Sequence, residues 1–222
     1  MTMSPDVERA ALMATETLIR NQVITAPIDP MPILKRMPNV LVTSFADIAE
    51  RACVDRSSLL TMFGNDNQDA GTIVAASDDG VLHYFVAYNQ RLPYALVQRA
   101  IARELGHIVL GHDGSRPDDV RTEEALIFAR HLLCPRPLLA AIRDSGVPLT
   151  VELIGSVTGC RKRCLDGIRV TPGAHVPPEL NRLVREQFAD YVDNFVSYAR
   201  SVQSRDDSPL AEFGTYFDNY CE

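Results

Sequence analysis

The residues best suited to chemistry in this chain lie in two neighbouring stretches, residues 94–112 (YALVQRAIARELGHIVLGH) and residues 123–135 (EEALIFARHLLCP). Apolar residues recur at helical spacing in the first stretch, and Glu104 and His107 interrupt them. A carboxylate can act as a general base, and imidazole and carboxylate groups are ligands that zinc accepts. The pattern therefore predicts a buried helix that carries a polar cluster.

The first stretch is close to the zinc-protease signature His-Glu-x-x-His. That signature places two imidazoles one turn apart on one helical face and adds a glutamate that activates the metal-bound water. Glu104 and His107 stand where the signature requires them, but arginine occupies position 103, where the first imidazole belongs. A guanidinium is permanently charged and only donates hydrogen bonds, so Arg103 cannot bind zinc.

The two stretches together resemble the ImmA/IrrE family of metallopeptidases, whose pattern is HELGHxxLGH followed by a helix with EAxxFAxxLLMP. This chain has RELGHIVLGH and EEALIFARHLLCP at the matching positions. A strand hairpin that ends in Tyr-Asn and a proline-rich amino-terminal third are similar too, so the likeness covers about residues 30–137. It implies an α+β, zincin-like fold in which a small twisted β-sheet packs on the active-site helix and a mostly helical carboxy-terminal part follows.

The resemblance also implies roles for particular residues. Carried over position by position, Glu104 is the general base, His107 is a zinc ligand and Glu124 is the third ligand, with Glu123 the less favoured choice. The implied cofactor is zinc. The implied activity is cleavage of an intracellular protein, such as a repressor that controls a mobile element or a stress regulon.

Arg103 leaves a second interpretation open, because an open catalytic zinc site uses three protein ligands and this one lacks its first imidazole. His112 lies on the wrong side of an ideal helix to replace it, unless the helix ends at Gly111 and the chain turns back. Arg103 is expected to pair with Glu124 instead. The alternatives are a zinc endopeptidase with a degenerate metal site, and a catalytically inactive metallopeptidase-like protein without zinc that binds a protein partner.

Composition and charge restrict the class of protein further. The 222 residues are 46% hydrophobic with a formal net charge of −7, which allows a sizeable core and argues against a general binder of nucleic acid or of anionic membranes. No apolar run reaches the roughly 20 residues of a membrane-spanning helix, and the first ten residues lack the pattern of a secretory signal. The five cysteines are scattered and odd in number, which is typical of reduced thiols. A cytoplasmic location is expected.

Local patterns place the other elements. Helices are expected at residues 4–21, with Ser4 as the amino-terminal cap, and then at 45–53, 120–133, 136–144, 151–157, 161–168 and 178–203. A strand is expected at 39–44, and a hairpin at 71–76 and 81–89 around Ser77-Asp78-Asp79-Gly80. The chain is expected to form a metallopeptidase-like domain at 1–146, a helical extension at 147–203 and a tail at 204–222.

Overall fold

A computed structural model describes residues 3–53, 55, 58, 69–113, 115–160 and 175–203. The fold is α+β, with a small mixed sheet among helices, which confirms the predicted class. The helix predicted at 161–168 and the tail at 204–222 lie outside the described residues.

The elements of the described part follow one another in this order: α1 (Val7–Arg20), α2 (Pro30–Arg36), β1 (Val40–Ser44), α3 (Phe45–Ala52), β2 (Ala70–Ala76), β3 (Leu82–Tyr88), α4 (Tyr94–Val109), α5 (Asp118–Leu133), α6 (Arg136–Asp144), α7 (Val151–Thr158), α8 (Pro178–Gln187) and α9 (Ala189–Gln203). Most of these bounds lie within two or three residues of those that periodicity and capping patterns predict.

The sheet has the strand order β1-β3-β2, with β3 in the middle. Strands β2 and β3 form the predicted antiparallel hairpin, in which Ala70 lies opposite Tyr88. Gly80 closes the turn with a φ of +81°, a conformation that glycine adopts without strain. Strand β1 pairs with β3 in parallel, so the chain crosses over between β1 and the hairpin.

Two helix boundaries differ from the predicted ones. The amino-terminal cap of α1 is Asp6 rather than Ser4, because the Asp6 carboxylate accepts a hydrogen bond from the Arg9 N–H at 2.9 Å. Asp6 also donates its own backbone N–H to Oε1 of Glu124 at 2.8 Å. The helix predicted at 178–203 is interrupted at Phe188, which is fully buried and caps α8.

Helices α4 and α5 pack closely at the centre of the fold. Gly106 makes this possible, since a Cβ atom there would stand 3.0 Å from Cδ1 of Phe128 and 3.1 Å from the carbonyl oxygen of Ala125. One cluster of buried apolar residues extends from Ala10 in α1 to Ala199 in α9. Helices α7, α8 and α9 therefore contribute to the same core as the predicted metallopeptidase-like domain.

One stretch, Asp118–Asp144, has the length and apolar composition of a membrane-spanning helix. In the fold, Pro135 separates it into α5 and α6, and 61% of its apolar window is buried inside the protein. Burial of this kind is typical of core helices, so the stretch is consistent with a soluble protein.

Candidate functional site

After the carboxy-terminal end of α4, the chain turns back and packs against the last turn of the same helix. The last helical residue is Val109, and Gly111 follows with a φ of +62°, which ends the helix in the way that glycine commonly does. The N–H of His112 then donates to the carbonyl oxygen of His107 at 3.0 Å. His112 is thereby brought beside His107, which is the arrangement that the sequence allowed only if the helix ended at this glycine.

Two imidazoles connect α4 to the carboxylate of Glu124 on α5. The Nδ1 atoms of His107 and His112 are 2.9 Å apart, and Nε2 of His112 is 3.0 Å from Oε2 of Glu124. Burial is the main cause that lowers the pKa of both histidines, that of His107 to about 4, so both are neutral at pH 7. An ionised carboxylate only accepts hydrogen bonds, so His112 donates from Nε2 and accepts from His107 at Nδ1. This leaves the lone pair of His107 on Nε2.

Glu124 is surrounded by hydrogen-bond donors and is almost fully buried, with 1% of its side chain exposed. Nη1 of Arg116 contacts both carboxylate oxygens, at 2.7 and 2.8 Å, and the backbone N–H of Asp6 donates to Oε1 at 2.8 Å. The charge of this carboxylate is therefore balanced inside the protein. Sequence reasoning missed Arg116, because it lies in a loop of turn-forming residues where nothing marks it as a partner of α5.

The carboxylate of Glu104 faces the sheet rather than α5. Its Oε1 accepts from Nε and Nη2 of Arg103 at 3.1 and 2.8 Å, and its Oε2 accepts from Oγ1 of Thr72 at 2.8 Å. Nη2 of Arg103 also donates to the carbonyl oxygen of Ala70 in β2 at 3.0 Å. The predicted pairing of Arg103 with Glu124 is wrong, because Arg103 extends toward β2 and Arg116 already neutralises Glu124.

The three predicted site residues are thus divided between two networks, with Glu104 bonded toward β2 and with His107 and Glu124 joined through His112. The two nitrogens of an imidazole point in different directions, so the ring of His112 keeps His107 and Glu124 apart. Among the described residues, no three His, Cys, Asp or Glu side chains are arranged to hold a metal ion. In this arrangement the side chains do not fit the zinc site that the resemblance implies.

His131, two turns beyond Glu124 on α5, is a further buried titratable group. Burial lowers its pKa to about 4, and the nearby charges of Arg136 and Arg130 act in the same direction. Since the folded pKa is below the value of about 6.5 in an unfolded chain, the unfolded state takes up the proton first as the pH falls. Stability should therefore be lost between about pH 6.5 and pH 4.

Between pH 7.5 and pH 5, the free energy of unfolding should fall in both proteins. We expect the fall to be smaller in His131→Gln than in the wild type by about 2 kcal/mol. Urea unfolding at the two pH values measures this difference, and the value at pH 7.5 separates the packing cost of the substitution from its effect on titration. An equal loss of unfolding free energy in the two proteins would show that His131 does not contribute to the acid sensitivity.

No protein-family model, curated protein or solved structure matches the chain. The fold and the site therefore define the class: an α+β protein with a three-stranded mixed sheet, in which two arginines that are each about a quarter exposed pair with the buried carboxylates of Glu104 and Glu124. The zincin-like fold and membership of the ImmA/IrrE family stay predictions from the motif resemblance.

Proposed function

We propose that this chain is a metallopeptidase-like protein in which an internal network of arginines and carboxylates takes the place of the metal site, and that it acts by binding a protein partner. The observation that carries the proposal is that each of the two acidic residues of the site forms an ion pair with an arginine. Arg103 pairs with Glu104, and Arg116 pairs with Glu124. The partner class that the resemblance implies is an intracellular protein such as a transcriptional repressor, and the location we propose is the cytoplasm.

The contacts of Glu104 support a role other than proton transfer. A general base in a metallopeptidase must hold and deprotonate a water molecule with a free carboxylate oxygen. Both oxygens of Glu104 already accept hydrogen bonds, one from a guanidinium and one from a hydroxyl, and the side chain is only 5% exposed. These contacts tie α4 to β2, so Glu104 acts as a structural link between the helix and the sheet.

The contacts of Glu124 support a role other than metal binding. Binding a metal would draw its carboxylate away from Arg116 and from the N–H of Asp6. Breaking a buried ion pair without replacing its partner costs about 3–5 kcal/mol, so the internal network competes directly with any metal.

A second candidate function is a zinc endopeptidase that cleaves an intracellular protein. The observation in its favour is the 2.9 Å separation of the Nδ1 atoms of His107 and His112, which brings two imidazoles together at the carboxy-terminal end of α4. For this function Glu124 would have to exchange Arg116 for the metal, with Glu104 released from Arg103.

Elemental analysis of the purified protein tests the proposal. We expect the wild type to contain far less than one zinc ion per chain, and Arg103→His to gain zinc, because it restores two imidazoles at the spacing of the signature and frees Glu104. Arg103→Lys is the matched control, since an ammonium keeps the charge and has no lone pair to offer a metal. Stoichiometric zinc in the wild type that Glu124→Ala removes would overturn the proposal and support the endopeptidase.

A further inference from the structure

We infer that a cavity beside the first two turns of α4 binds a small primary amine with an apolar tail. The cavity lies between α2, the loop that follows β3 and α4, and its volume is about 330 Å³. Binding sites for small molecules begin at about this size. Gln98, which lines the cavity, precedes His107 by about 13 Å along the helix. The cavity is therefore separate from the arginine–carboxylate network.

One face of α4 forms a wall of this cavity. Tyr94, Gln98 and Ile101 follow one another at helical spacing, and all three line the cavity. Tyr94 is 65% exposed, whereas Gln98 is 6% exposed and Ile101 is 1% exposed. The cavity therefore extends from the solvent beside Tyr94 to the protein interior beside Ile101.

The side-chain amide of Gln98 is a buried polar group in this wall. An amide has two N–H donors and a carbonyl oxygen, and buried polar groups normally have hydrogen-bond partners. The hydroxyl of Tyr94 interacts with this amide. In the part of the chain that the structure describes, no other group hydrogen-bonds to the Gln98 side chain. Part of the amide is therefore available to a ligand.

Asp29 gives the cavity a negative charge. Its Oδ1 accepts from the N–H of Met31 at 3.0 Å, and among the described residues that line the cavity Asp29 is the charged one. Glu104 and Glu124 pair with arginines, but Asp29 forms no ion pair with any described residue. Burial and the negative charge of Asp29 raise the pKa of Tyr94, so this phenol is neutral at pH 7. The carboxylate of Asp29 is thus free to attract a cation.

The chemistry of the lining favours an ammonium group. Carboxylate, phenol and amide oxygens all accept hydrogen bonds, and a primary ammonium only donates them. The rings of Tyr88 and Tyr94 also line the cavity, and the faces of tyrosine rings attract cations. An anion would be repelled by Asp29 and, among the described lining residues, would meet no arginine or lysine. The net charge of −7 on the whole chain acts in the same direction.

The burial of the lining residues sets the orientation of the amine. Apolar side chains complete the lining: Met31, Leu92, Val97 and Ile101. Asp29 is exposed and Ile101 is buried, so the ammonium is expected at the solvent end and the apolar tail at the inner end. A lysine side chain of another protein would enter with its ammonium first, because the charge lies at the far end of an apolar stem. The site therefore suits a free amine better than a lysine side chain.

NMR titration of the full chain with pentylamine, which is protonated at pH 7, tests the inference. Pentanol has a similar tail without the charge, and pentanoate carries the opposite charge. We expect pentylammonium to bind in the millimolar range, about five- to tenfold more tightly than pentanol, and pentanoate not to bind. The side-chain amide signals of Gln98 and the backbone N–H signals of Met31 and Tyr94 should shift. Nα-acetyl-lysine methylamide should bind more weakly than pentylammonium.

Asp29→Asn removes the charge and keeps a residue that caps helices well, so α2 should be preserved and the preference for pentylammonium over pentanol should disappear. Asp78→Asn is the matched control, because it removes the same charge from the exposed hairpin turn and should leave the preference unchanged. An unchanged preference in Asp29→Asn, tighter binding of the lysine derivative, or no shift of the Gln98 signals at about 50 mM pentylamine would overturn the inference. Zinc content is measured without amine, so it reports separately on the proposed function.

Discussion

Replacing Glu124 with alanine should remove about 3–5 kcal/mol from the free energy of unfolding, because it removes the buried carboxylate that a guanidinium, an imidazole and a backbone N–H share as their acceptor. The carboxylate accepts from Arg116, from Asp6 and from His112, whose side chain is only 2% exposed. Arg116 is 26% exposed and Asp6 is an exposed residue, so both can turn partly toward water, but the imidazole of His112 cannot. Urea unfolding at pH 7.5 measures the loss.

Glu123→Ala is the matched control, since it removes the same group from the preceding position of α5. The side chain of Glu123 is 44% exposed and its contact with Arg130 is 3.3 Å, so its removal should change stability by less than about 1 kcal/mol. The double variant Arg116→Ala with Glu124→Ala should lose less than the sum of the two single variants, because the two residues share one interaction. Similar losses for Glu123→Ala and Glu124→Ala would contradict the central place given to Glu124.

Replacing Gly106 with alanine should destabilise the protein by about 1–3 kcal/mol, and valine should cost more. Alanine normally stabilises the interior of a helix by roughly 1 kcal/mol relative to glycine, so helix propensity predicts the opposite sign. The reason is the close approach of α4 to α5, where the new Cβ would lie 3.1 Å from the Ala125 carbonyl and 3.0 Å from the ring of Phe128. A backbone oxygen can move only if α5 shifts.

Gly155→Ala in α7 is the matched control for this prediction. The nearest atom to a Cβ at Gly155 is the carbonyl oxygen of Cys160, at the ordinary distance of 3.4 Å. This variant should be as stable as the wild type or more stable by up to about 1 kcal/mol. If Gly106→Ala behaves in the same way under thermal or urea unfolding, then α4 and α5 are not held as closely as the structure indicates.

The sequence alone predicted the elements whose signals are local. The Gly80 turn between two β-rich runs, the stop at Pro135 and the apolar period of α4 depend on residues within a few positions of one another, and the hairpin and both central helices were predicted from them. The burial of Glu104 was predicted for the same reason, since it interrupts an apolar face. The burial of this carboxylate was therefore readable from the sequence before its partners were known.

Only the tertiary structure decided which charges pair. The N–H of Asp6 meets a carboxylate 118 positions away, and Arg103 extends to β2 rather than to Glu124. These contacts depend on the direction of each side chain and on the packing of distant elements, and neither has a signal in local spacing. His112 was the intermediate case, because a glycine with positive φ allowed the chain to return and the packing of α5 beside α4 made His112 the link to Glu124.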